Sequence, residues 1–513
     1  MQGTIWAFLP AVIAIVLALV TKQVYVSLFF GIFVGAMMFA GGNPIKAMYT
    51  LYDVMSKKLG ENAPIIVFLV VLGILVVLMQ KSGGAKAYGD WAGRKIKSKG
   101  GALAATAGLG SLIFVDDYFN CLTVGSVMRP VTDKFKISRA KLAYIIDATA
   151  APVCIIAPIS SWAAAVGSEL GDDGLMGFIS TIPFNVYALL TLIMVFSLCY
   201  FKFDFGKMKK NDYIAETTGD LHAGAEINSA GNDEIVSNPK GKVRHLIVPV
   251  IILIVSCIGG MLYTGFFANG DPSQIQSQNV IEAFSNCNAG MSLAIGSTVA
   301  LIIIAVYYMI ARVVSFKEIT DSFTSGFKAM VPAILILTFA WTIAGIMGAK
   351  GGYLDAQSFV DTNLRNSAFP HELFPFIFFI LAGAIAFATG TSWGTFGILV
   401  PIATTILVGA GPLTVLTVSA TLGGAVFGDH ISPISDTTIL ASAGAECNHV
   451  DHVNTQLPYA ALVAVIAAIS YLIAGFCTGL GSVLCAVIMW AAAIALFVTA
   501  VIIIKALSKK NAK

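Results

Sequence analysis

The sequence predicts an all-α protein that crosses a membrane many times. Of its 513 residues, 57% are hydrophobic and only 12% are charged, and the mean hydropathy is +0.84. A soluble core of this length could not bury so much apolar surface. Nine apolar runs have roughly the 20-residue length of a membrane span; they cover residues 4–20, 24–40, 64–80, 177–203, 245–267, 291–311, 327–349, 456–477 and 482–504. Four further apolar segments are interrupted by polar residues and form two similar pairs.

The distribution of lysine and arginine predicts which loops face the cytoplasm. The loop at 81–100 carries six basic residues against one acid, and five more basic residues follow between 129 and 141. We therefore expect both regions, and the basic C-terminus, to be cytoplasmic. The loop at 41–63 disagrees, because counting spans places it outside although it contains three lysines. The N-terminal topology is left open.

The segment 101–128 predicts a re-entrant helical hairpin. It lies between two basic regions, so both of its ends belong on one side of the membrane. About 28 residues with a rise of about 1.5 Å each are too few to cross a core of about 30 Å twice. The expected tip, at 115–120, carries Asp116, Asp117 and Asn120, which could satisfy broken backbone at that depth.

The next apolar segment, 142–165, predicts a broken membrane span. It contains Asp147, Pro152, Pro158, Ser160 and Ser161. Proline removes a backbone donor and clashes with the preceding helical turn. We expect an unwound region around 157–161.

The second half of the chain repeats these features 275 residues later. The pentapeptide APISS at 157–161 resembles SPISD at 432–436, and the same offset aligns 116–118 with 391–393. This predicts a second hairpin at 373–410 and a second broken span at 412–444. The second hairpin would enter from the outside, so the two repeats would be inverted, an architecture typical of secondary transporters.

The predicted organisation has six parts, and the candidate polar residues lie in the two repeats. The parts are spans at 1–80, a first repeat at 81–203, a poorly ordered cytoplasmic linker at 204–243, spans at 244–349, a second repeat at 350–478, and a C-terminal span with a basic tail at 479–513. The linker is too short for a nucleotide-binding domain, and the chain lacks a GxxxxGK[ST] phosphate loop. This argues against an ATP-driven pump, unless a separate subunit supplies the ATPase.

Polar residues at the hairpin tips and helix breaks are the candidate site. An ionisable group at membrane depth costs on the order of 3 kcal/mol or more and usually faces a bundle interior or a wet cavity. The candidate ion- or substrate-binding residues are Asp116, Asp117, Asn120, Asp147, Ser160, Ser161, Thr391, Ser392, Thr395, Asp429, His430, Ser432, Ser435, Asp436 and Thr437.

Sodium suits these residues, because it is a hard cation that prefers carboxylate, hydroxyl and carbonyl oxygens. The expected sodium ligands are Asn120, Ser160, Thr395, Ser435 and Asp436. His430 could relay protons or serve only as a hydrogen-bonded structural histidine.

Exchange of sodium for a proton also requires an acid that binds one or the other but not both. The candidates are Asp117, Asp147, Asp429 and Asp436. Asp436 is our first choice, because its counterpart in the first repeat is the neutral Ser161, and Asp117 is expected to face it. Capping of the half-helix after Pro433 is the alternative role for Asp436.

Two segments resemble the NhaC family of sodium/proton antiporters. They are FVDDYFNCLTVGSVMRP at 114–130 and GDHISPISDTTILASAG at 428–444, the latter followed by CNHVDHVNTQLPYA at 447–460. The resemblance implies a multi-pass inner-membrane carrier of the ion transporter superfamily that moves Na⁺ and H⁺ without a further cofactor. It also implies a homodimer in which 1–80 and 244–349 form a scaffold and the repeats form a mobile, elevator-like transport domain.

Other function classes stay open to different degrees. Relatives of this family carry small organic acids or amino acids, for which Tyr118, Tyr144, Trp162 and Trp393 could line a larger pocket. A channel is hard to exclude from sequence alone. An intramembrane hydrolase lacks support, because the chain has neither a GxGD nor an HExxH motif. No nucleic-acid partner is expected.

Overall fold

The computed structural model describes residues 2–21, 23–170, 174–201, 203–225, 238–347, 353–359, 362 and 370–510. Within these residues there is no strand beyond one isolated antiparallel bridge between Phe267 and Ile275. The helices are α1 (Leu9–Thr21), α2 (Val24–Phe39), α3 (Pro44–Glu61), α4 (Ala63–Lys81), α5 (Gly84–Lys95), α6 (Lys99–Leu112), α7 (Asp117–Lys134), α8 (Arg139–Cys154), α9 (Ser161–Glu169), α10 (Gly174–Thr181), α11 (Val186–Phe201), α12 (Gly206–Thr218), α13 (Arg244–Phe266), α14 (Val280–Asn286), α15 (Ala289–Ile310), α16 (Phe316–Met347), α17 (Ala356–Phe359), α18 (Phe374–Thr389), α19 (Ser392–Ile406), α20 (Pro412–Ile431), α21 (Asp436–Ala445), α22 (His449–Cys477) and α23 (Ser482–Lys510).

The predicted all-α, multi-span architecture is confirmed. By length and composition, eight of the described helices could cross a membrane, or nine if α2 and α3, which meet at a 118° bend, count as one span. The apolar runs predicted at 64–80, 245–267 and 482–504 correspond to α4, α13 and α23.

Two predictions about the N-terminal half are wrong. The expected loop at 41–63 is largely α3, which begins at Pro44 and is capped by Asn43, whose side chain accepts from the N–H groups of Ile45 and Lys46 at 3.0 and 3.1 Å. The expected single span at 177–203 is divided by a short 3₁₀ turn, Ile182–Phe184, into α10 and α11. Its central proline has no N–H to continue the helix.

The linker prediction is also wrong in part. Residues 206–218 form α12, while 226–237 lie outside the described residues. The helix packs against α8 and α22 through buried charges. Lys141 Nζ lies 2.7 Å from Asp204 Oδ2 and 3.1 Å from Asp212 Oδ2, and Lys99 Nζ lies 2.6 Å from that same Asp212 oxygen. Lys99 and Lys141, which the sequence assigns to one side of the membrane, thus both contact the linker.

The helices form two packing groups. In one, α4 packs on α15 and α16, and α2 packs on α1, α3 and α16; in the other, α20 packs on α18, α19 and α22, and α8 packs on α6, α7, α11 and α21. Contacts of α16 with α19, of α4 with α9 and of α1 with α18 join the groups. The predicted division into outer spans and repeats, with roles as scaffold and transport domain, stays a prediction.

The four interrupted segments recur at a constant spacing. Helices α18, α19 and α21 each begin 275 residues after α6, α7 and α9. The backbone leaves the helix at 113–116, 155–160, 390–391 and 432–435, and Pro158 and Pro433 lie in two of these breaks. The first break begins slightly before the expected tip at 115–120. Whether the hairpins are re-entrant and the repeats inverted stays a prediction.

Glycine at position 125 is required for the contact between α7 and α21. A Cβ there would lie 2.4 Å from the backbone carbonyl carbon of Gly444. We expect Gly125→Val to separate these helices and to lower the stability of the purified protein by about 1–3 kcal/mol, the usual cost of overpacking. Gly108→Ala is the control, because a Cβ at Gly108 would meet no atom within 4 Å. Thermal unfolding in detergent measures both variants, and equal melting temperatures would contradict the assigned contact.

Asp212 should anchor α12 in a pH-dependent manner. Burial alone would raise the pKa of its carboxyl, but Lys141 and Lys99 outweigh this effect and hold the pKa below its usual range. Because the pKa is lower in the folded state than the unfolded value of about 3.9, the charge stabilises the fold above about pH 4, and this contribution disappears as the pH falls through the folded-state pKa.

The variant Asp212→Asn should lose about 1.5–3 kcal/mol of stability at neutral pH, because it removes a charge-assisted hydrogen bond to Lys141, which keeps Asp204 as its partner. Tryptic cleavage at the α12 lysines should accelerate accordingly. Asp90→Asn, in an exposed position, is the control. Unchanged cleavage of Asp212→Asn would show that α12 is held by other contacts.

Candidate functional site

The candidate site lies where the helix breaks of the two repeats meet. Its largest polar cluster is in the second repeat, around Asp429, a buried residue near the C-terminal end of α20. Asp429 Oδ2 accepts hydrogen bonds from Ser392 Oγ at 2.9 Å and from Thr437 Oγ1 at 3.0 Å. Ser435 Oγ lies 3.3 Å from Thr437 Oγ1. One carboxylate therefore joins the first turns of α19 and α21 to the last turn of α20.

The first repeat has a smaller cluster, in which the acid and its hydrogen-bond donor exchange positions. Asp117, the first residue of α7, accepts from the indole Nε1 of Trp162 at 3.1 Å, and both side chains are buried. At the 275-residue offset, Asp117 corresponds to Ser392 and Trp162 to Thr437. The acid thus lies on the hairpin in the first repeat and on the broken span in the second. The two half-sites are not chemically equivalent.

An aromatic contact connects the two half-sites. The Trp162 ring lies 5.7 Å from that of Trp393 and 5.2 Å from that of Phe396, and these last two rings are 5.5 Å apart. Trp393 Nε1 is buried and has no hydrogen-bond partner among the residues that the structure describes. An indole N–H normally finds an acceptor when it is buried, so this group is an exception that calls for an explanation.

Several predicted site residues cap the half-helices. A cap side chain accepts from a free backbone N–H of the first turn and so replaces water. The capping bonds are Phe119 N to Asp116 (3.0 Å), Ala163 N to Ser160 (3.1 Å), Gly394 N to Thr391 (3.4 Å) and Thr438 N to Ser435 (3.2 Å). Asp116 is thus the N-cap of α7, and its neighbour Asp117 is the first residue of the helix.

Other predicted residues bond to nearby backbone. Thr395 Oγ1 donates to the carbonyl of Thr391 at 2.9 Å, and Ser432 Oγ donates to that of Phe387 at 2.7 Å. The backbone N–H of Ser161 donates to the carbonyl of Val115 at 3.0 Å and so ties the start of α9 to the first hairpin tip.

Asn120 holds the first hairpin together. Its Nδ2 donates to the carbonyls of Gly110 at 2.6 Å, Ile113 at 2.9 Å and Thr149 at 3.3 Å. Its Oδ1 is buried without a partner in the described part of the chain. The amide nitrogen therefore satisfies carbonyls released at the end of α6.

A third cluster surrounds Asp147 in the middle of α8. Its Oδ2 accepts from Gln456 Nε2 at 2.6 Å and lies 3.4 Å from His452 Nε2, and all three side chains are buried. Gln456 Nε2 also donates to the backbone carbonyl of His430 at 2.7 Å, and Tyr187 Oη lies 2.9 Å from His430 Nδ1. The sequence did not single out Gln456 or Tyr187, although Gln456 lies within the family-like segment at 447–460.

The side chain of Asp436, our first choice from the sequence, lies outside the described residues. Its backbone begins α21, directly after the cap Ser435. The proposed sodium-ligand set of Asn120, Ser160, Thr395, Ser435 and Asp436 stays a prediction. Hydrogen bonds bring together a different set of oxygens, around Asp429.

The arrangement supplies buried carboxylate, hydroxyl and carbonyl oxygens beside the N-terminal ends of four half-helices. Such oxygens bind hard cations, and ionisable groups inside a membrane bundle mark ion pathways. The fold and the site together define a membrane transporter rather than an enzyme.

Comparison with known proteins identifies the family. The chain matches the Na⁺/H⁺ antiporter family over residues 174–476. It is 41% identical over 496 residues to an uncharacterized protein of Haemophilus influenzae, covering 93% of this chain and 92% of that protein. The chain belongs to the Na⁺/H⁺ antiporter family, which confirms the resemblance found in the sequence.

Two further similarities are narrower. The Bacillus subtilis malate-2H⁺/Na⁺-lactate antiporter is 31% identical over 165 residues, which is 32% of this chain and 34% of that protein. The crystal structure of the Alcanivorax borkumensis YdaH transporter has a TM-score of 0.56 and 14% identity, covering 85% of this chain and 90% of that one. The second similarity shows a shared fold.

Asn120→Asp tests the structural role of the first hairpin amide. The substitution replaces the donating NH₂ group with an acceptor that faces three carbonyls. Each buried acceptor left unsatisfied costs about 1–3 kcal/mol, so we expect a loss of at least about 3 kcal/mol. Asn62→Asp is the control, because Asn62 Nδ2 donates to one carbonyl, that of Lys58. Thermal unfolding in detergent measures the difference, and a similar loss in both variants would contradict this role.

Proposed function

We propose that this chain exchanges sodium ions for protons by alternating access. The observation that carries the proposal is the buried Asp429 carboxylate, held by the hydroxyls of Ser392 and Thr437 where three helix ends meet. A carboxylate with two hydroxyls resembles the oxygen shell that a sodium ion requires. Membership of the Na⁺/H⁺ antiporter family supports the same cargo.

The cation is proposed to displace the two hydroxyl protons from Asp429 Oδ2. The hydroxyls would then rotate and present their oxygen lone pairs to Na⁺, because Ser and Thr act as donors or acceptors. Protonation of Asp429 would remove the charge that holds the ion. Competition between Na⁺ and H⁺ for one acid is sufficient for antiport.

The two packing groups support an elevator-like motion. The polar breaks lie almost entirely within the group built from α6–α11 and α18–α22, and the rings of Trp162 and Trp393 join its two halves. This group is proposed to move as one body against α1–α4 and α13–α16. The chain is further proposed to be a homodimer in the inner membrane, with a cytoplasmic C-terminus and lipid around the spans.

A carrier of small organic acids is the second candidate. The buried Trp393 Nε1 without a partner in the described residues is a donor that an organic carboxylate could use. The relative from Bacillus subtilis is named for malate and lactate. An organic anion would pack on the Trp162 and Trp393 rings.

Proteoliposomes with an imposed pH gradient distinguish these functions. We expect added NaCl to collapse the gradient, followed with a pH-sensitive dye, whereas potassium or choline chloride should not. Asp429→Asn should reduce the Na⁺-driven rate by at least about tenfold, and Asp90→Asn, on the exposed surface of α5, should transport normally. A gradient that collapses only after malate, lactate or an amino acid is added would instead favour the second candidate.

The same assay decides between the acids. Asp436→Asn and Asp117→Asn test the assignment made from the sequence. Parent-like transport by Asp429→Asn, together with inactive Asp436→Asn, would move the cation site to Asp436. Single-channel currents in a planar bilayer would overturn the carrier mechanism altogether.

A further inference from the structure

We infer that Gln456 couples a separate proton site, on Asp147, to the cation site on Asp429. This inference rests on the proposed function and deepens it. It assigns to α8 and α22 a role in exchange beyond that of the polar half-helices.

The first observation is the double donation by one amide. Gln456 Nε2 uses both hydrogens, one for Asp147 Oδ2 at 2.6 Å and one for the His430 carbonyl at 2.7 Å. Both partners accept hydrogen bonds, so the amide must present its nitrogen to them. A carboxylate on α8 is thereby tied to the last turn of α20.

The second observation is the position of the bonded carbonyl. His430 directly follows Asp429, and α20 ends one residue later, at Ile431. A bond to the His430 carbonyl therefore restrains the turn that aims Asp429 at Ser392 and Thr437. Release of this carbonyl would loosen the same turn.

The third observation is that Asp147 and Gln456 each have a second oxygen without a hydrogen-bond partner. Asp147 Oδ1 and Gln456 Oε1 are buried and have no hydrogen-bond partner in the described ranges. Buried polar atoms without partners are rare and call for an explanation. A proton on Asp147 would explain both atoms. It would convert the carboxylate into a hydrogen-bond donor, and the amide oxygen of Gln456 would be its acceptor.

The coupling then follows from hydrogen-bond geometry. When Asp147 takes up a proton, its O–H favours Gln456 Oε1, and the amide must turn to present that oxygen. The nitrogen then turns away from Asp147 and cannot keep its bond to the His430 carbonyl in the same geometry. Protonation of Asp147 would in this way weaken the arrangement that holds Na⁺ at Asp429, and release of the proton would restore it.

Other titratable groups face Asp147 from the surrounding helices. They are His452 on α22, His430 on α20, Cys121 on α7 and Tyr187 on α11, and the side chain of Asp436 on α21 lies outside the described residues. His452 Nε2, 3.4 Å from Asp147 Oδ2, is placed to pass protons to it. The proposed coupling requires only Asp147 and Gln456.

The test measures the pH dependence of the apparent KM for Na⁺ in proteoliposomes of the full chain. In the parent, direct competition at Asp429 and the coupled proton on Asp147 should both lower this KM as the pH rises, each by up to about tenfold per pH unit. In Gln456→Met and in Asp147→Asn only the competition at Asp429 remains, so the pH dependence of KM should be weaker than in the parent by up to about tenfold per pH unit. Asp147→Asn should keep a high KM, because an amide imitates the protonated acid.

Gln276→Met is the matched control. Gln276 Nε2 likewise has more than one acceptor, the backbone carbonyls of Thr264 at 2.7 Å, Gly265 at 3.1 Å and Asn286 at 3.4 Å, but it lies between α13 and α14. Its loss should leave the pH dependence of KM as in the parent.

The outcomes separate this inference from the proposed function. If the parent shows no Na⁺-driven flux, the proposed function fails. If the parent exchanges Na⁺ but either folded variant keeps the parental pH dependence of KM, the coupling by Gln456 is wrong. If Gln456→Met fails to fold, Asp147→Asn decides alone.

Discussion

Backbone groups released where a helix breaks inside an apolar bundle must find partners, because water is not there to supply them. The site of this protein is organised by that requirement. At all four breaks, a side chain accepts from the first turn of the following half-helix: Asp116, Ser160, Thr391 and Ser435. Asn120 adds three donated bonds to carbonyls around the first break. Many of the polar side chains in the candidate site therefore stabilise the fold by bonding to free backbone groups.

The side chains that are not used for capping give the two repeats their different chemistry. Asp117 bonds to a tryptophan, whereas Asp429 bonds to two hydroxyls. A hydroxyl can reverse its role and offer a lone pair to a cation, whereas an indole N–H can only donate. The second repeat is thus better suited to bind a hard cation, and the first is better suited to fix the position of the aromatic contact between the half-sites.

Much of the fold was predictable from the sequence. The apolar runs fixed the all-helical, multi-span class, and Pro158 and Pro433 marked two of the breaks, because the missing proline N–H acts locally. Local signals also explain the errors. Asn43 and Pro44 form a strong helix start that the span count ignored, and a proline at 183 divides an apolar run that looked continuous. The buried ion pairs of α12 could not be foreseen, because Lys141 and Asp212 are far apart in the chain.

By itself, the sequence determined the membrane class, the family and the residues that cluster at the breaks, because apolar length, proline and misplaced polarity are properties of short segments. Only the tertiary structure decided which polar groups meet. Trp162 reaches Asp117 across 45 residues, and Gln456 reaches Asp147 across 309. Such pairs are selected by packing, since a buried carboxylate must take whichever donor the surrounding helices bring within hydrogen-bond distance.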